Sequence, residues 1–319
     1  MPPRMKRLRH RDYTIGWICA IAVEREAAVA VLDATHPPLS VAHNDKNTYT
    51  LGSIGPHNVV ICCLPPGIYG LTAATTVANH MISTFAEIKA TLMVGIGGGA
   101  PSRTTDIRLG DVVVSTPTES SPAVMQYDRG KTTQKGFVRS GILDKPSWML
   151  STAVGSLQVQ HKQHGSLILQ ILSEMQAQQP RKWMPPTVDD LFDSTYEHAE
   201  GEETCANCDR TKLVPRGLRN GTMPVIHYGL IASANQVMKH GRTRDKLQKE
   251  FGILCFEMEG AGLMNDMQCL VVRGICDYSD SHKNKAWQSF AAATAAAYAK
   301  ELLGVVPLRH RTHSPPSST

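Results

Sequence analysis

The chain has 319 residues, of which 42% are hydrophobic and 19% are charged, a composition that fits a globular protein with a sizeable core. Five of the 33 basic residues and no acidic residue lie within positions 1–11, which leaves 28 basic and 28 acidic residues (33 − 5 = 28) in the rest of the chain. A neutral body excludes non-specific nucleic-acid binding, and no run approaches the roughly 18 apolar residues that span a membrane.

The N-terminal segment could be a signal peptide or a disordered segment followed by a buried strand. Residues 1–11 are predicted to be a disordered basic segment, and the apolar run that follows them at 15–23 superficially resembles a signal peptide. The run is short and continues directly into Glu24-Arg25-Glu26 and an amphipathic helix, so a buried strand is the better interpretation. Eight cysteines without a compact spacing pattern indicate a reduced protein, and we therefore expect a cytoplasmic one.

Strand and helix signals alternate along most of the chain, as in a mostly parallel or mixed sheet covered by helices on both faces. In chain order they predict strand 13–21, helix 24–34, a hairpin of strands 48–54 and 57–64, helix 70–85, strands 90–96 and 111–115, strand 225–233, helix 241–251, strand 253–256, helix 260–266, strand 269–275 and helix 287–303.

The alternation predicts one catalytic domain over residues 12–304, with a three-layer α/β/α fold and a central mixed sheet. It is interrupted at about 158–223, where glutamine, proline and charged residues predict an insertion that packs on the core. Residues 305–319, which end in Pro-Pro-Ser-Ser-Thr, predict a disordered tail.

Acidic residues and glycines follow several of the predicted strands directly. Acids in this position often cap a helix, and a glycine run often forms only a tight turn. In open α/β sheets, however, the carboxyl ends of the strands face one ligand-binding crevice. The residues that would meet there are Glu24, Glu26, Gly95–Gly99, Glu257, Glu259 and Asp277.

Glu257 and Glu259 lie two residues apart, so on an extended segment both side chains share one face. Burying two carboxylates without partners is costly, which favours a polar ligand such as a diol that donates hydrogen bonds to them.

Several short strings of the sequence resemble motifs of the superfamily of purine nucleoside phosphorylases and methylthioadenosine/S-adenosylhomocysteine nucleosidases. The matching strings are Glu257-Met258-Glu259, Arg273–Asp277, Gly95–Gly99 and Leu109–Ser115. Other stretches resemble the nucleoside phosphorylase-like domains of fungal proteins that often stand at the front of NLR-type receptors: Tyr13–Ile21, Asn47–Gly70, Ile226–Gly241 and Gly274–Leu303. The resemblance covers about 12–157 and 224–304, and it implies a phosphorylase/hydrolase-like fold, a homo-oligomer, and catalysis without a cofactor or a metal.

The resemblance also implies roles for individual residues. Asp277 would protonate N7 of a departing purine, and Glu26 would activate water. Glu259 would bind the ribose 2′ and 3′ hydroxyls, with Met258 packed against the sugar. The remaining substrate-binding residues would be Glu257, Gly97, Gly98, Val237 and Met238, with Val237 where bacterial nucleosidases have a stacking aromatic ring.

These roles agree with the chemistry of N-glycosidic cleavage. The bond breaks through a cationic sugar, so nearby carboxylates stabilise the transition state and an acid neutralises the leaving base. Proton donation near neutral pH requires Asp277 to be protonated, and burial or neighbouring carboxylates would favour that form.

The nucleophile distinguishes hydrolysis from phosphorolysis, because phosphate requires basic ligands. Related hexameric phosphorylases carry an early Gly-Asp-Pro-x-Arg loop and an arginine before the glycine turn, whereas this chain has Glu24-Arg25-Glu26 and Met93. Hydrolysis of a purine nucleoside to free base and ribose is therefore predicted. Phosphorolysis is an alternative, because Arg25, Arg103 or Arg108 could form a phosphate site. A non-catalytic nucleoside-sensing module of a fungal receptor is the alternative from another class.

Two further motifs have both a functional and an ordinary interpretation. Cys205-x-x-Cys208, with His198 upstream, is either half of a zinc site or a structural pair of thiols. The segment Ser281–Lys285 is either a solvated loop or a contact for the phosphate of a nucleotide.

Overall fold

A computed structural model describes residues 8–199, 201–202, 204–219 and 224–308. Its strands are β1 (Ile15–Cys19), β2 (Ala34–His36), β3 (Tyr49–Ile54), β4 (His57–Cys63), β5 (Ala90–Gly99), β6 (Val112–Ser115), β7 (Val124–Gln126), β8 (Gly130–Thr133), β9 (Gly136–Arg139), β10 (Ile226–Ser233), β11 (Ile253–Glu257) and β12 (Leu270–Asp277). Its α-helices are α1 (Ala22–Ala30), α2 (Leu71–Thr84), α3 (Trp148–His164), α4 (Ile168–Gln178), α5 (Gly241–Phe251), α6 (Met264–Met267) and α7 (Gln288–Leu303).

Ten of these strands form a single mixed sheet in the order β11-β10-β6-β12-β5-β1-β4-β3-β2, with β7 paired to β10. The central pairs β1–β5 and β5–β12 are parallel, whereas β6–β12 and β3–β4 are antiparallel. The far end of β5 also pairs antiparallel with β11, through Gly98 and Gly99. This extra pairing folds the sheet around so that the ends of β5, β11 and β12 meet.

Helices cover both faces of the sheet. Gly16 of β1 approaches Met81 of α2, and Gly274 of β12 approaches Ala291 of α7. Pairing through β5 places Gly16 beside Thr91 and Gly274 beside Ile96, five residues further along the strand. Because successive residues of a strand alternate between faces, the two helices lie on opposite faces. The predicted three-layer α/β/α fold with a central mixed sheet is confirmed.

The core lies between α7 and the central strands. β1, β6 and β12 are buried along their whole length, as expected for strands with both faces covered. Residues 291–299 of α7 are all buried and mostly alanine, which lets the helix approach the sheet closely. None of the helices in the described part of the chain is long and apolar enough to cross a membrane.

The structure differs from the prediction in the middle of the chain. Helix α3 starts at Trp148, before the predicted insertion at 158–223, and α4 lies inside it and packs on α7. The prolines that argued against helix at 180–186 lie beyond the end of α4. The short strands β7, β8 and β9 had no signal in the sequence.

Both ends of the described chain are more ordered than predicted. Residues His10–Asp12 form a turn of 3-10 helix, and Val306 is buried, with its carbonyl accepting a hydrogen bond from His57 Nε2. The rest of the predicted disordered segments, 1–7 and 309–319, lies outside the described residues.

Candidate active site

A crevice of about 210 Å³ opens where the carboxyl ends of β1, β5, β11 and β12 meet. Its lining combines carboxylates, apolar side chains and glycine backbone, which suits a ligand with both an apolar ring and hydroxyl groups. The chain segments that line it are 20–24, 96–98, 236–238, 256–259 and 276–283, together with Tyr69 and Gln288.

Every predicted site residue except Glu26 lines this crevice. They come from three separate parts of the chain: Gly97 and Gly98 from β5, the β10–α5 connection with Val237 and Met238, and the ends of β11 and β12 with Glu257, Met258, Glu259 and Asp277. Val237 is 49% exposed, so it forms the outer part of the wall.

The structure corrects the prediction for Glu26. Its side chain is 52% exposed and pairs with Lys182 at 2.8 Å, away from the crevice. Glu24 lines the crevice instead and is buried. The physical reason is helical geometry: α1 begins at Ala22, and two residues two positions apart on a helix point in directions about 200° apart.

Backbone amides hold the carboxylate of Glu24 in place. Oε1 accepts a hydrogen bond from Ile96 N at 2.8 Å, and Oε2 accepts from Ala20 N at 2.6 Å. A Cβ at Gly95 would lie 2.2 Å from Oε1, so only glycine leaves room for this carboxylate. Burial raises the pKa of Glu24, against the opposing effects of Arg273 and of these amides.

A fully buried arginine in β12 joins the three glutamates. Arg273 donates from Nη2 to Glu257, and the same nitrogen lies 3.4 Å from Glu259 Oε2. Its Nη1 lies 3.8 Å from Glu24 Oε1. A buried charge requires partners, and here one cation keeps three carboxylates together. Arg273 has no predicted role, although a charged residue inside an apolar strand is a signal that acidic partners lie nearby.

Burial raises the pKa of Glu259 to about 7, with the charge of Arg273 opposing the rise and the charges of Glu257 and Glu24 adding to it. Its Oε1 accepts a hydrogen bond from Gly70 N at 3.3 Å. A carboxylate with this pKa changes its charge near neutral pH, and in its ionised form it accepts hydrogen bonds from hydroxyl groups.

Asp277 lies at the end of β12 with both carboxylate oxygens engaged. Oδ1 accepts from Ser279 N at 2.9 Å, and Oδ2 lies 2.7 Å from Lys283 Nζ and 3.0 Å from Cys276 Sγ. Ser279 has a positive φ of 55°, a conformation that is uncommon for a residue other than glycine. Lys283 and Ser279 were not singled out from the sequence as partners of Asp277.

A second cavity adjoins the crevice and has a different charge. The two share Ala20, Ile21, Tyr69 and Gln288 in their walls. The second cavity is also lined by three basic side chains, Arg25, Lys46 and Lys285. An acidic crevice therefore opens into a basic vestibule.

The other basic residues considered as phosphate ligands lie elsewhere. Arg108 pairs with Asp106 at 2.8 Å and donates to Gly217 O, and neither Arg108 nor Arg103 lines the crevice or the vestibule. Met93 is buried within β5.

Comparison with known sequences relates the chain to one protein family and to two kinds of curated protein. A profile described as "Phosphorylase superfamily" matches residues 14–306. A nucleotide-binding leucine-rich repeat (NLR)-like protein of Hyaloscypha variabilis is 45% identical over 306 residues, which cover 95% of this chain and 30% of that protein. A 5′-methylthioadenosine/S-adenosylhomocysteine nucleosidase of Mycobacterium bovis is 31% identical over 93 residues, 28% of this chain and 36% of that one. The matched part of the chain thus spans about a third of the length of these curated relatives.

Solved structures with the same fold cover nearly the whole chain. Futalosine hydrolase of Helicobacter pylori superposes with a TM-score of 0.59 at 18% identity, over 93% of this chain and 99% of that one. A 5′-methylthioadenosine/S-adenosylhomocysteine nucleosidase of the same bacterium, solved with a bound ligand, gives a TM-score of 0.58 at 17% identity, over 92% and 98%. At these identities the likeness shows a common fold.

Proposed function

The chain belongs to the phosphorylase superfamily, and from its crevice we propose that it hydrolyses the N-glycosidic bond of a purine nucleoside, releasing the free base and ribose. The observation that carries the proposal is the meeting of Asp277 with Glu24, Glu257 and Glu259 in one crevice. This set offers an acid for the leaving base and negative charge for a cationic sugar, the two requirements of glycosidic cleavage.

In the proposed reaction the bond between C1′ and the purine nitrogen breaks, and the base accepts a proton at N7 from Asp277, which receives it from the ammonium group of Lys283, 2.7 Å from its Oδ2. Water attacks C1′, and Glu24 accepts its proton, since this carboxylate is buried, fixed by backbone amides and raised in pKa. Glu259 accepts hydrogen bonds from the ribose hydroxyls. Arg273 keeps Glu257 and Glu259 in position, and Lys283 orients Asp277.

The arrangement of charges favours water over phosphate as the nucleophile. The cations beside the crevice carboxylates are already paired, Arg273 with glutamates and Lys283 with Asp277. A phosphate ion at the sugar would face the carboxylates of Glu24 and Glu259. Like charges in direct contact repel each other strongly.

The basic vestibule favours a second candidate within the same chemistry, in which the substrate is a nucleoside 5′-phosphate. Arg25, Lys46 and Lys285 would then bind the phosphate while the base and ribose occupy the acidic crevice. If the enzyme instead used phosphate as its nucleophile, these same three side chains would have to bind that phosphate.

The test is to incubate the purified chain with adenosine, inosine, guanosine, methylthioadenosine, uridine and the mono- and triphosphates of adenosine, with and without inorganic phosphate. Chromatography then follows the release of base and the form of the sugar. Base released equally without phosphate, with the unmodified sugar as co-product, supports a nucleosidase and identifies its substrate.

The other outcomes would replace the proposal. Release that depends on phosphate, with sugar 1-phosphate as co-product, identifies a phosphorylase. A ligand that binds in calorimetry and is recovered intact identifies the non-catalytic sensing module.

A further inference from the structure

A cluster of metal-ligating side chains lies outside the crevice, between α4 and β10. The ligand atoms of His198, Cys205 and Cys208 all lie within 4.8 Å of one another. Cys205 begins a single 3-10 turn and Cys208 directly follows it, so the two thiols lie close together. The sequence contained half of a zinc motif, and the fold brings a histidine to it.

A second histidine, His282, lies beside the cluster and has no hydrogen-bond partner for its ring in the part of the chain that the structure describes. The ring of His282 is buried, and neither of its nitrogens has a hydrogen-bond partner among the described residues. It stacks on Phe192 at 4.2 Å and packs edge-on against His198 at 5.4 Å. Leaving a buried polar group without a hydrogen bond is unfavourable, so a ligand that binds this ring would remove that penalty.

The surroundings of His198 also suit a ligated ring. Nδ1 lies 3.0 Å from Ala199 O, and Nε2 lies 3.1 Å from Thr204 O. A neutral imidazole has one N–H, so one of its nitrogens directs a lone pair at a carbonyl oxygen. A metal on that nitrogen relieves the repulsion, while the other N–H keeps its carbonyl, as metal-bound histidines usually do.

We propose that His198, Cys205 and Cys208 bind a Zn²⁺ ion, with His282 as the fourth ligand after a rotation of its ring. Two thiolates and two imidazoles are a tetrahedral set typical of structural zinc, and thiolates select zinc over magnesium or calcium. Binding displaces the protons of both thiols, so the site gains its metal above the acid range.

The site would connect the segment after α4 to the loop that follows Asp277. The two already touch, because His198 N donates to Ser281 Oγ at 3.0 Å and Cys205 Sγ lies 3.9 Å from His282 O. Lys283, the partner of Asp277, is the next residue along this loop. The metal would therefore stiffen the loop that positions the crevice aspartate, without itself entering the crevice.

The experiment measures metal directly on the full chain. Elemental analysis after gel filtration is expected to give one zinc per chain in the wild type and background levels in Cys205→Ser and Cys208→Ser. Cys63→Ser is the matched control, because it removes a partly exposed thiol elsewhere and should keep the zinc. Replacing zinc with Co²⁺ in the wild type should produce the thiolate-to-cobalt absorption and visible bands of a tetrahedral site.

The cobalt spectrum keeps the test valid if a cysteine variant fails to fold. His282→Asn is expected to shift the visible bands, and an unchanged spectrum would remove His282 from the ligand set. A wild-type chain without zinc and without a thiolate–cobalt band overturns the site, as does a thiol count that shows Cys205 and Cys208 joined in a disulfide. None of these readouts depends on nucleoside turnover, so the site and the proposed function can fail independently.

Discussion

Glu24 and Glu26 lie two residues apart on α1 but have opposite surroundings. One is buried beneath backbone amides, and the other lies in solvent beside Lys182. If Glu24 activates water, Glu24→Gln should lower kcat by about 10²–10⁴-fold, the usual contribution of general acid–base catalysis. Glu26→Gln is the matched control and should retain near wild-type turnover. The reverse order of effects would restore the original prediction for Glu26.

Asp277 is the second residue on which the mechanism depends. Asp277→Asn keeps the shape of the side chain but removes the acid, so kcat should fall by about 10²–10⁴-fold while the melting temperature changes little. Asp266→Asn, at an exposed aspartate on α6, is the control. An Asp277→Asn variant with wild-type turnover would exclude this aspartate as the proton donor.

Glu259 predicts a pH dependence of opposite sign for activity and for stability. Its folded-state pKa of about 7 lies above its ordinary value of 4.5, chiefly because of burial. The ionised form accepts the ribose hydroxyls, so kcat/KM should rise as the pH increases through about 7.

The stability effect runs the other way. A raised pKa means that the folded protein binds this proton more tightly, so the contribution is fully present below pH 4.5 and is lost as the pH rises through 7. Between pH 5 and pH 8, urea unfolding should show a larger loss of free energy in the wild type than in Glu259→Gln. Equal losses in the two proteins would contradict the assignment.

At the scale of elements, the contact between β12 and α7 fixes the strand that carries Arg273 and Asp277. A Cβ on Gly274 would lie 1.8 Å from the carbonyl oxygen of Ala291, a backbone atom that cannot move independently. Overpacking typically costs about 1–3 kcal/mol, and Gly274→Ala should lower the free energy of unfolding by at least this amount. In Gly155→Ala, on α3, the added methyl meets no atom within 4 Å and should stabilise the helix by roughly 0.5–1 kcal/mol. Urea titration measures both, and equal effects would show that the contact does not constrain the strand.

At the scale of the whole molecule, the segment that follows α7 is attached to strand β4, far from it in sequence. His57, at the start of β4, donates to the carbonyl of Val306, and Val306 is itself buried. Burial of a valine side chain contributes about 1.5–3 kcal/mol, so a chain ending at Gly304 should melt at a lower temperature than one ending at Leu308. Calorimetry of the two truncated chains measures this difference, and identical melting temperatures would show that the contact adds nothing.

The sequence alone determined the fold, the family and the strands and helices that build the crevice, because these depend on local patterns. The predicted bounds of helix 241–251 match the observed ones, and Gly252, in the left-handed conformation, ends the helix. The apolar runs that became β5, β11 and β12 were recognisable because strands buried on both faces need hydrophobic residues throughout. Apart from Glu26, the residues predicted for the site are the ones that the fold brings to one crevice.

Only the tertiary structure decided how these residues face one another. The choice between Glu24 and Glu26 depended on how α1 is oriented against the sheet, because these two side chains point about 200° apart on the helix. The grouping of three glutamates around Arg273, and of His198 with Cys205, Cys208 and His282, joins segments that are far apart in sequence. Local periodicity does not predict contacts between distant segments, because these contacts depend on strand order and on the path of the connecting loops.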